Sequence, residues 1–123
     1  GIKFINSIGI KEIREHEQHL GEVFLEKILN IDGLCVYGEH SLERRAPVFA
    51  VNLQTLGSSE LAAVLDDEYE ICTRGGLHCA PLAHTTIGTL ELGAVRFSLG
   101  YFNTKAEIDK AARALEQIYK NTK

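Results

Sequence analysis

Apolar residues recur at steps of three and four along several stretches of this chain, the spacing that places them on one face of a helix. Residues 9–30 follow this spacing, with charged side chains between the apolar positions, and Gly33 ends the pattern. Residues 57–60 combine a serine cap with an early glutamate, which is typical of a helix start. Residues 104–107 fit a Thr-x-x-Glu capping box, which predicts the start of a last helix. The expected core stripe of that helix is Ile108, Ala111, Ala112, Leu115 and Tyr119.

Four other stretches are β-type apolar runs and predict short strands. They cover residues 34–37, 48–53, 70–73 and 94–99, and a short helical turn is expected at 81–87. The order of elements is then α-β-β-α-β-loop-β-α, with few long crossovers between strands. Because antiparallel strands need only short connections, we expect most pairings to be antiparallel. The predicted fold class is α+β, with a small, mostly antiparallel sheet of about four strands covered by helices.

The size and charge of the chain narrow the classes of function. Its 123 residues suit one domain, 1–123, with its own hydrophobic core. A net charge of −4, with scattered basic residues, argues against a nucleic-acid surface or an anionic membrane as the main partner. No apolar run approaches the roughly 20 residues of a membrane span, and no secretory signal opens the chain. The cysteines show no framework spacing, which favours a reducing compartment, so a cytoplasmic protein is expected.

One thiol has an unusual local sequence. Cys79 follows His78 on a loop with two glycines, and Arg74 precedes it by five residues. A neighbouring cation favours the thiolate, which is the reactive form of cysteine, and the glycines let the loop bend. Two interpretations stay open at this point. Cys79 is either a nucleophile whose ionisation His78 and Arg74 promote, or a small buried apolar residue.

Arg96 is a second candidate, because it lies in an alternating segment. Its neighbours Val95 and Phe97 are expected to face the core, so the Arg96 guanidinium points to the opposite face of the strand. A planar guanidinium in that position can hold a carboxylate through two parallel hydrogen bonds. The alternatives are a solvated arginine or a structural ion pair.

The other cysteines and histidines carry a weaker signal. His78 and His84 flank Cys79, but their spacing matches no common zinc pattern and no fourth ligand is evident, so no metal site is predicted. Cys35 and Cys72 lie in apolar runs and are expected to be packed core residues. Surface positions are expected for the remaining three histidines, His16, His19 and His40.

Three motifs in the second half of the chain resemble those of a known family. They read R-x-G-x-H-C-A at 74–80, R-F-S at 96–98 and Y-F-N-T-x-x-E-I-D at 101–109. In this they are similar to the C-terminal end of class V aminotransferase-type cysteine desulfurases, which are pyridoxal-phosphate enzymes of fold type I. The resemblance extends back to residues 8–17 and 63–66, and so covers essentially the whole chain.

The resemblance implies roles for four residues. Cys79 matches the cysteine that accepts sulfur, and Arg96 matches the arginine that holds the α-carboxylate of the substrate. Arg74 matches an arginine beside the active-site loop that assists substrate binding. His78 matches the histidine directly before the cysteine, where we infer that it tunes the thiol.

The chain also departs from the family pattern. Leu77 stands where many relatives have a second histidine, Pro81 follows Ala80 directly, and residues 85–93 reshape the loop, so the substrate preference stays open. The family attaches its cofactor to a lysine that follows a histidine in a separate large domain, and no lysine of this chain has that context. Since the chain also starts without Met, we expect it to be the small C-terminal domain of a longer enzyme, inactive without its large domain.

The activity that the resemblance implies is that of a cysteine desulfurase. The full-length enzyme would use pyridoxal 5'-phosphate, take sulfur from L-cysteine as a persulfide on Cys79 and release alanine. A homodimer and a sulfur-acceptor protein follow from the same resemblance, and no cofactor is expected on the 123-residue chain alone. Two other classes stay open. One is a class V aminotransferase or a selenocysteine or cysteine-sulfinate lyase, and the other is a stand-alone thiol module that carries sulfur.

Overall fold

The computed structural model describes residues 1–123, the whole chain, as five helices and one sheet. The helices are α1 (Ile2–Ile8), α2 (Ile10–Ile28), α3 (Ser58–Tyr69), α4 (Pro81–Ile87) and α5 (Lys105–Thr122). The strands are β1 (Leu34–Tyr37), β2 (Val48–Leu53) and β3 (Val95–Ser98). The predicted α+β class is confirmed. None of the helices combines the length and the apolar composition that crossing a membrane requires.

The three strands form one antiparallel sheet in the order β1-β2-β3. Val51 in the central strand lies opposite Val36 on one side and Val95 on the other, so three β-branched residues cross the sheet in one row. Phe49 lies opposite Phe97 in the next row on the same face. Because side chains alternate between the two faces of a strand, this apolar face packs on the core and the other face stays open.

Two long helices cover the apolar face of the sheet. Phe24 of α2 packs against the rings of Phe49 and Phe97, with ring centroids 5.2 and 5.3 Å apart. The predicted stripe of α5 is largely confirmed, since Tyr119 is half-buried and the other four positions are buried, namely Ile108, Ala111, Ala112 and Leu115. The core is one continuous cluster that also includes residues of α3.

The starts of α3 and α5 differ in how they are capped. Gly57 is the N-cap residue of α3 and no side chain caps that helix, so the predicted serine cap is wrong. Ser58 instead donates from Oγ to the carbonyl oxygen of Leu92 at 2.7 Å, which ties α3 to the segment before β3. At α5 the capping box is confirmed. The backbone N–H of Thr104, followed by its hydroxyl, lowers the pKa of the Glu107 carboxyl by hydrogen bonding to it.

The predicted strand at 70–73 is wrong. α3 ends at Tyr69, and its C-cap residue Glu70 has a positive φ of 54°, which turns the chain away from the helix. The N–H of Ile71 then bonds to a carbonyl oxygen within α3 at 2.8 Å, so the backbone here closes the helix instead of joining the sheet. Only Arg74 reaches a strand, through an isolated bridge to Arg96. The sheet therefore has three strands rather than about four.

The expectation that Cys35 and Cys72 are core residues is also wrong, because both are exposed. Cys35 lies on β1, an edge strand, and it pairs with Asn52 on the open face of the sheet. Cys72 lies in the segment that closes α3, with its Sγ 3.7 Å from Asp66 Oδ1. The apolar composition around Cys35 therefore did not show which face of β1 packs on the core. The apolar composition around Cys72 did not show that α3 ends just before this residue.

The N-terminal region contains one helix more than expected. Residues 2–8 form α1, and Gly9, with a φ of 96°, separates it from α2. His16 of α2 is half-buried, with its Nε2 3.2 Å from a backbone carbonyl oxygen, so the surface expectation fails for this histidine. His19 and His40 are exposed, as expected.

Phe24→Ala should destabilise the fold strongly. Phe24 is fully buried between two other aromatic rings, and the loss of such a ring costs about 3–5 kcal/mol of the free energy of unfolding. Phe102→Ala is the matched control, because Phe102 is 80% exposed and its loss should cost about 0.5 kcal/mol or less. Urea denaturation followed by circular dichroism measures both variants. Similar losses in the two would contradict the assigned core.

Candidate active site

A backbone bridge attaches the loop that follows α3 to strand β3. The N–H of Arg96 donates to the carbonyl oxygen of Arg74 at 2.8 Å, and the N–H of Arg74 donates to that of Arg96 at 3.3 Å. Nearby, the N–H of Ala94 donates to the carbonyl oxygen of Gly76 at 3.1 Å. The segment 74–76 therefore lies beside the start of β3, and backbone groups rather than side chains hold it there.

The glycines of this loop let it pass close to other backbone. A Cβ atom on Gly75 would lie 2.6 Å from the carbonyl oxygen of Ser58, closer than real side chains approach. Gly76 has a φ of +95°, in the region that favours glycine. A Cβ atom on Gly93 would lie 2.8 Å from the backbone of Gly76. These glycines have a packing role in addition to the freedom that they give the loop.

The loop exposes the thiol of Cys79 beside a guanidinium. Arg74 Nη2 lies 3.8 Å from Cys79 Sγ, so a fixed positive charge is adjacent to the sulfur. Because the residue is exposed, the interpretation of Cys79 as a buried apolar residue is excluded. His78 and Cys79 both have positive φ, 55° and 58°, a left-handed conformation that costs an L-residue roughly 1–2 kcal/mol. Two such residues in succession turn the chain sharply before α4.

His78 is tied to the backbone of the same loop. Its Nε2 lies 2.8 Å from the carbonyl oxygen of Arg74. Since a carbonyl oxygen only accepts hydrogen bonds, Nε2 carries the proton, and a neutral His78 ring has its lone pair on Nδ1. The bond closes the loop from residue 74 to residue 78 and so fixes the backbone just before Cys79.

His84, which the sequence presents only as a second histidine near Cys79, lies inside the structure. It is 3% exposed, and its Nδ1 lies 2.7 Å from the hydroxyl of Thr89, which is also buried. Its ring centroid is 5.4 Å from that of His78. No group of three or more His, Cys, Asp or Glu side chains is arranged to hold a metal ion. No pattern in the sequence points to Thr89, because a threonine after a short helix is an ordinary feature.

Arg96 extends from β3 on the open face of the sheet, as the alternation predicts. Its side chain is half-buried, and its Nε is buried without a hydrogen-bond partner. No carboxylate of the chain pairs with it, which excludes a structural ion pair. Ala50, its neighbour across the sheet, offers only a methyl group. A buried donor without an acceptor costs about 1–3 kcal/mol, so an acceptor from outside the chain would relieve that cost.

Three of the four predicted site residues form one cluster, and the fourth joins it through the backbone. Arg74, His78 and Cys79 are linked by the contacts of the loop. Arg96 is paired with Arg74 through main-chain hydrogen bonds, and no hydrogen bond joins its side chain to Cys79. The thiol and the unpaired guanidinium thus belong to two segments that pair through their backbones.

Two polar residues of the open sheet face are missing from the sequence prediction. Asn52 Nδ2 donates to the Tyr37 hydroxyl at 3.2 Å and to the carbonyl oxygen of Gly93 at 2.9 Å, and its Oδ1 is buried without a partner. Burial raises the pKa of the Tyr37 hydroxyl. Together with Cys35 and Leu92 they line a cavity of about 380 Å³. The cavity adjoins the segment that leads into β3.

Known proteins show where this chain belongs. Residues 1–111 match the family model of aminotransferase class-V proteins. The chain belongs to the aminotransferase class-V family. A probable cysteine desulfurase from Staphylococcus epidermidis is 34% identical over 116 residues, which are 94% of this chain and 27% of that protein. A probable cysteine desulfurase from Methanothermobacter thermautotrophicus is 32% identical over 118 residues, which are 95% of this chain and 29% of that protein.

The fold of this family member matches a solved structure. The apo structure of a cysteine desulfurase from Thermococcus onnurineus superposes with a TM-score of 0.89 at 29% sequence identity. The match covers 98% of this chain and 29% of that chain. The family resemblance read from the motifs is therefore confirmed. The chain spans 27–29% of the length of these relatives.

Gly75→Ala should push the loop away from α3. The added Cβ would lie 2.6 Å from a backbone oxygen of Ser58, and overpacking of this kind costs about 1–3 kcal/mol of the free energy of unfolding. Gly100→Ala is the control, because nothing lies within 4 Å of a Cβ atom at that position. Urea denaturation compares the two. If both variants were as stable as the parent chain, the close contact between the loop and α3 would not exist in solution.

Proposed function

We propose that this chain is the small C-terminal domain of a pyridoxal-phosphate-dependent cysteine desulfurase. The whole protein would take sulfur from L-cysteine as a persulfide on Cys79 and release alanine. The observation that carries the proposal is an exposed Cys79 thiol beside the Arg74 guanidinium, on a loop whose backbone pairs with Arg96. Relatives of 32–34% identity that are named probable cysteine desulfurases support the same activity.

Arg96 binds the α-carboxylate of the substrate in this proposal. Its Nε has no acceptor among the atoms of the chain, and its planar group offers two parallel N–H bonds to a carboxylate. Hydrogen bonds to charged groups contribute about 1.5–3 kcal/mol each. When the carboxylate of the substrate L-cysteine is bound at Arg96, the length of the molecule limits how far its sulfur lies from the guanidinium. The nucleophilic sulfur of Cys79 must therefore come within reach of that position.

Cys79 is the nucleophile, and it attacks the sulfur of the bound substrate. The guanidinium of Arg74 lies 3.8 Å from Sγ, so its positive charge faces the sulfur that reacts. As the thiolate attacks, a new S–S bond forms and the bond between the substrate sulfur and its β-carbon breaks. The electron pair of the broken bond goes to the carbon side, and a proton taken up there completes alanine. Cys79 is left as a persulfide, so the step needs no external oxidant or reductant.

The cofactor comes from the part of the protein outside this chain. All lysines of the chain lie in α1, α2, α5 or at the C-terminus, and none occurs between residues 28 and 104, which hold the candidate site. The residues present therefore fit the substrate-facing side of such a site and offer no anchor for pyridoxal phosphate. When bound in the whole protein, the cofactor supplies an electron sink for the bond that breaks.

The remaining parts of the proposal concern the whole protein. His78 tunes the thiol by holding the backbone before Cys79 through its bond to Arg74. The whole protein is expected to form a homodimer and to pass sulfur to an acceptor protein. The three free cysteines of this chain suit a reducing compartment such as the cytoplasm.

Cys79→Ala in the full-length protein should lower alanine release from L-cysteine by about three orders of magnitude or more, because the nucleophile is lost. The persulfide, detected by mass spectrometry of the intact protein, should disappear as well. Cys72→Ala is the control, since it removes another exposed thiol outside the proposed site and should retain activity.

Other outcomes of this experiment would favour other functions. Alanine release that survives Cys79→Ala would remove Cys79 from the mechanism. Turnover of selenocysteine or cysteine sulfinate by that variant would favour a lyase. A persulfide gained from another protein, without any alanine, would favour a sulfur-carrier module.

Arg96→Lys in the full-length protein should raise the KM for L-cysteine by about 10- to 100-fold, because one ammonium replaces two parallel donors. Cysteamine has the thiol and the amine of cysteine but no carboxylate, so its inhibition constant should not change. Arg113→Lys, on the exposed side of α5, is the matched control. A similar loss of affinity for both compounds would show that Arg96 does not recognise the carboxylate.

A further inference from the structure

Helix α4 turns a histidine to the interior and leucine to solvent. Of its seven residues, only His84 is buried, whereas Leu82 is 83% exposed. Thr89, which follows the helix, is 1% exposed and shares a hydrogen bond of 2.7 Å with His84. Burial of apolar surface does not explain this arrangement, because the leucine would gain more from the interior than the imidazole does. The burial of His84 and Thr89 is therefore explained by the contacts that the two side chains make, which are their mutual hydrogen bond and the packing of His84 on His78.

A continuous set of contacts runs from this pair to the thiol. The hydroxyl of Thr89 fixes Nδ1 of His84, and the backbone N–H of Thr89 also donates to the carbonyl oxygen of His84 at 2.8 Å. The His84 ring packs at 5.4 Å, between centroids, on the ring of His78. His78 Nε2 donates to the carbonyl oxygen of Arg74, whose guanidinium lies 3.8 Å from Cys79 Sγ.

The backbone at the end of this series needs support from side chains. His78 and Cys79 are both in the left-handed region, which costs each roughly 1–2 kcal/mol, so the surrounding contacts must hold them there. The ring of His78 has two such contacts, the Arg74 carbonyl oxygen and the His84 ring. Without the second contact, the ring could rotate away and release the turn.

We propose that His84 is a positioning residue for Cys79. Held by Thr89 beneath the loop, it fixes the ring of His78 and thereby keeps the thiol of Cys79 beside the guanidinium of Arg74. The consequence for catalysis rests on the proposed function, whereas the placement of the thiol does not. His84 itself touches neither the sulfur nor a substrate.

The test compares variants of the full-length protein without substrate. The variants are His84→Ala, Thr89→Val, which keeps the shape of the side chain but removes the hydroxyl, and Thr89→Ser, which keeps the hydroxyl. Each is treated with iodoacetamide, and peptide mass spectrometry gives the alkylation rate of every thiol. Cys35 and Cys72 are internal controls, because neither belongs to the series of contacts. The quantity compared is the rate of Cys79 relative to these two thiols.

At pH 7 the relative rate of Cys79 should fall about 3- to 10-fold in His84→Ala and in Thr89→Val, because alkylation proceeds through a thiolate and the guanidinium charge no longer faces the sulfur. Thr89→Ser should stay within about twofold of the parent protein, since its hydroxyl still bonds to His84. Near pH 10, where an ordinary thiol ionises without help, the deficit should disappear.

Three results would overturn the proposal. They are an unchanged relative rate in both His84→Ala and Thr89→Val, a deficit of the same size at every pH, and a Thr89→Ser variant as slow as Thr89→Val. A purely structural role predicts a lower melting temperature without a pH-dependent change in the relative rate. If His84→Ala fails to fold, the comparison of Thr89→Val with Thr89→Ser tests the proposal without it. Since alkylation needs neither cofactor nor turnover, its outcome is independent of whether Cys79→Ala abolishes desulfurase activity.

Discussion

The pairing of Arg74 with Arg96 is the interaction on which the arrangement of the site depends. The two residues exchange backbone hydrogen bonds of 2.8 and 3.3 Å, and this isolated bridge joins the loop that carries Cys79 to strand β3. Strand β3 is itself fixed by β2, with Phe97 opposite Phe49 on the core side. The loop that carries Cys79 is attached to β3, and β3 also carries the guanidinium of Arg96. Because core packing fixes the position of β3, it also fixes where this loop meets the sheet.

Elements with a strong local signal could be predicted from the sequence. The capping box of α5 depends on two residues three positions apart, and α2 shows its period over five turns. The segment 70–73 looks like a strand for the same local reason, but its backbone closes α3 through the left-handed Glu70. Whether a short apolar run joins a sheet depends on hydrogen-bond partners distant in the chain, and composition does not contain that information.

The same distinction between local and long-range information applies to the residues of the candidate site. Arg74, His78 and Cys79 fall within six consecutive residues, so their combination is visible in the sequence. The link between Asn52 and Gly93 spans 41 positions and exists only in the folded chain. Cys35 shows the limit of alternation, because a period of two separates the faces of an edge strand without saying which one is covered.

The attachment of the loop through main-chain atoms has a consequence for how the sequence can vary. The two hydrogen bonds between residues 74 and 96 join backbone N–H and carbonyl groups, so they form with any side chain other than proline at either position. Substitution of either arginine would therefore remove a guanidinium and leave the bridge between the loop and β3 in place. The charges presented here can change in evolution while the backbone framework that carries them persists.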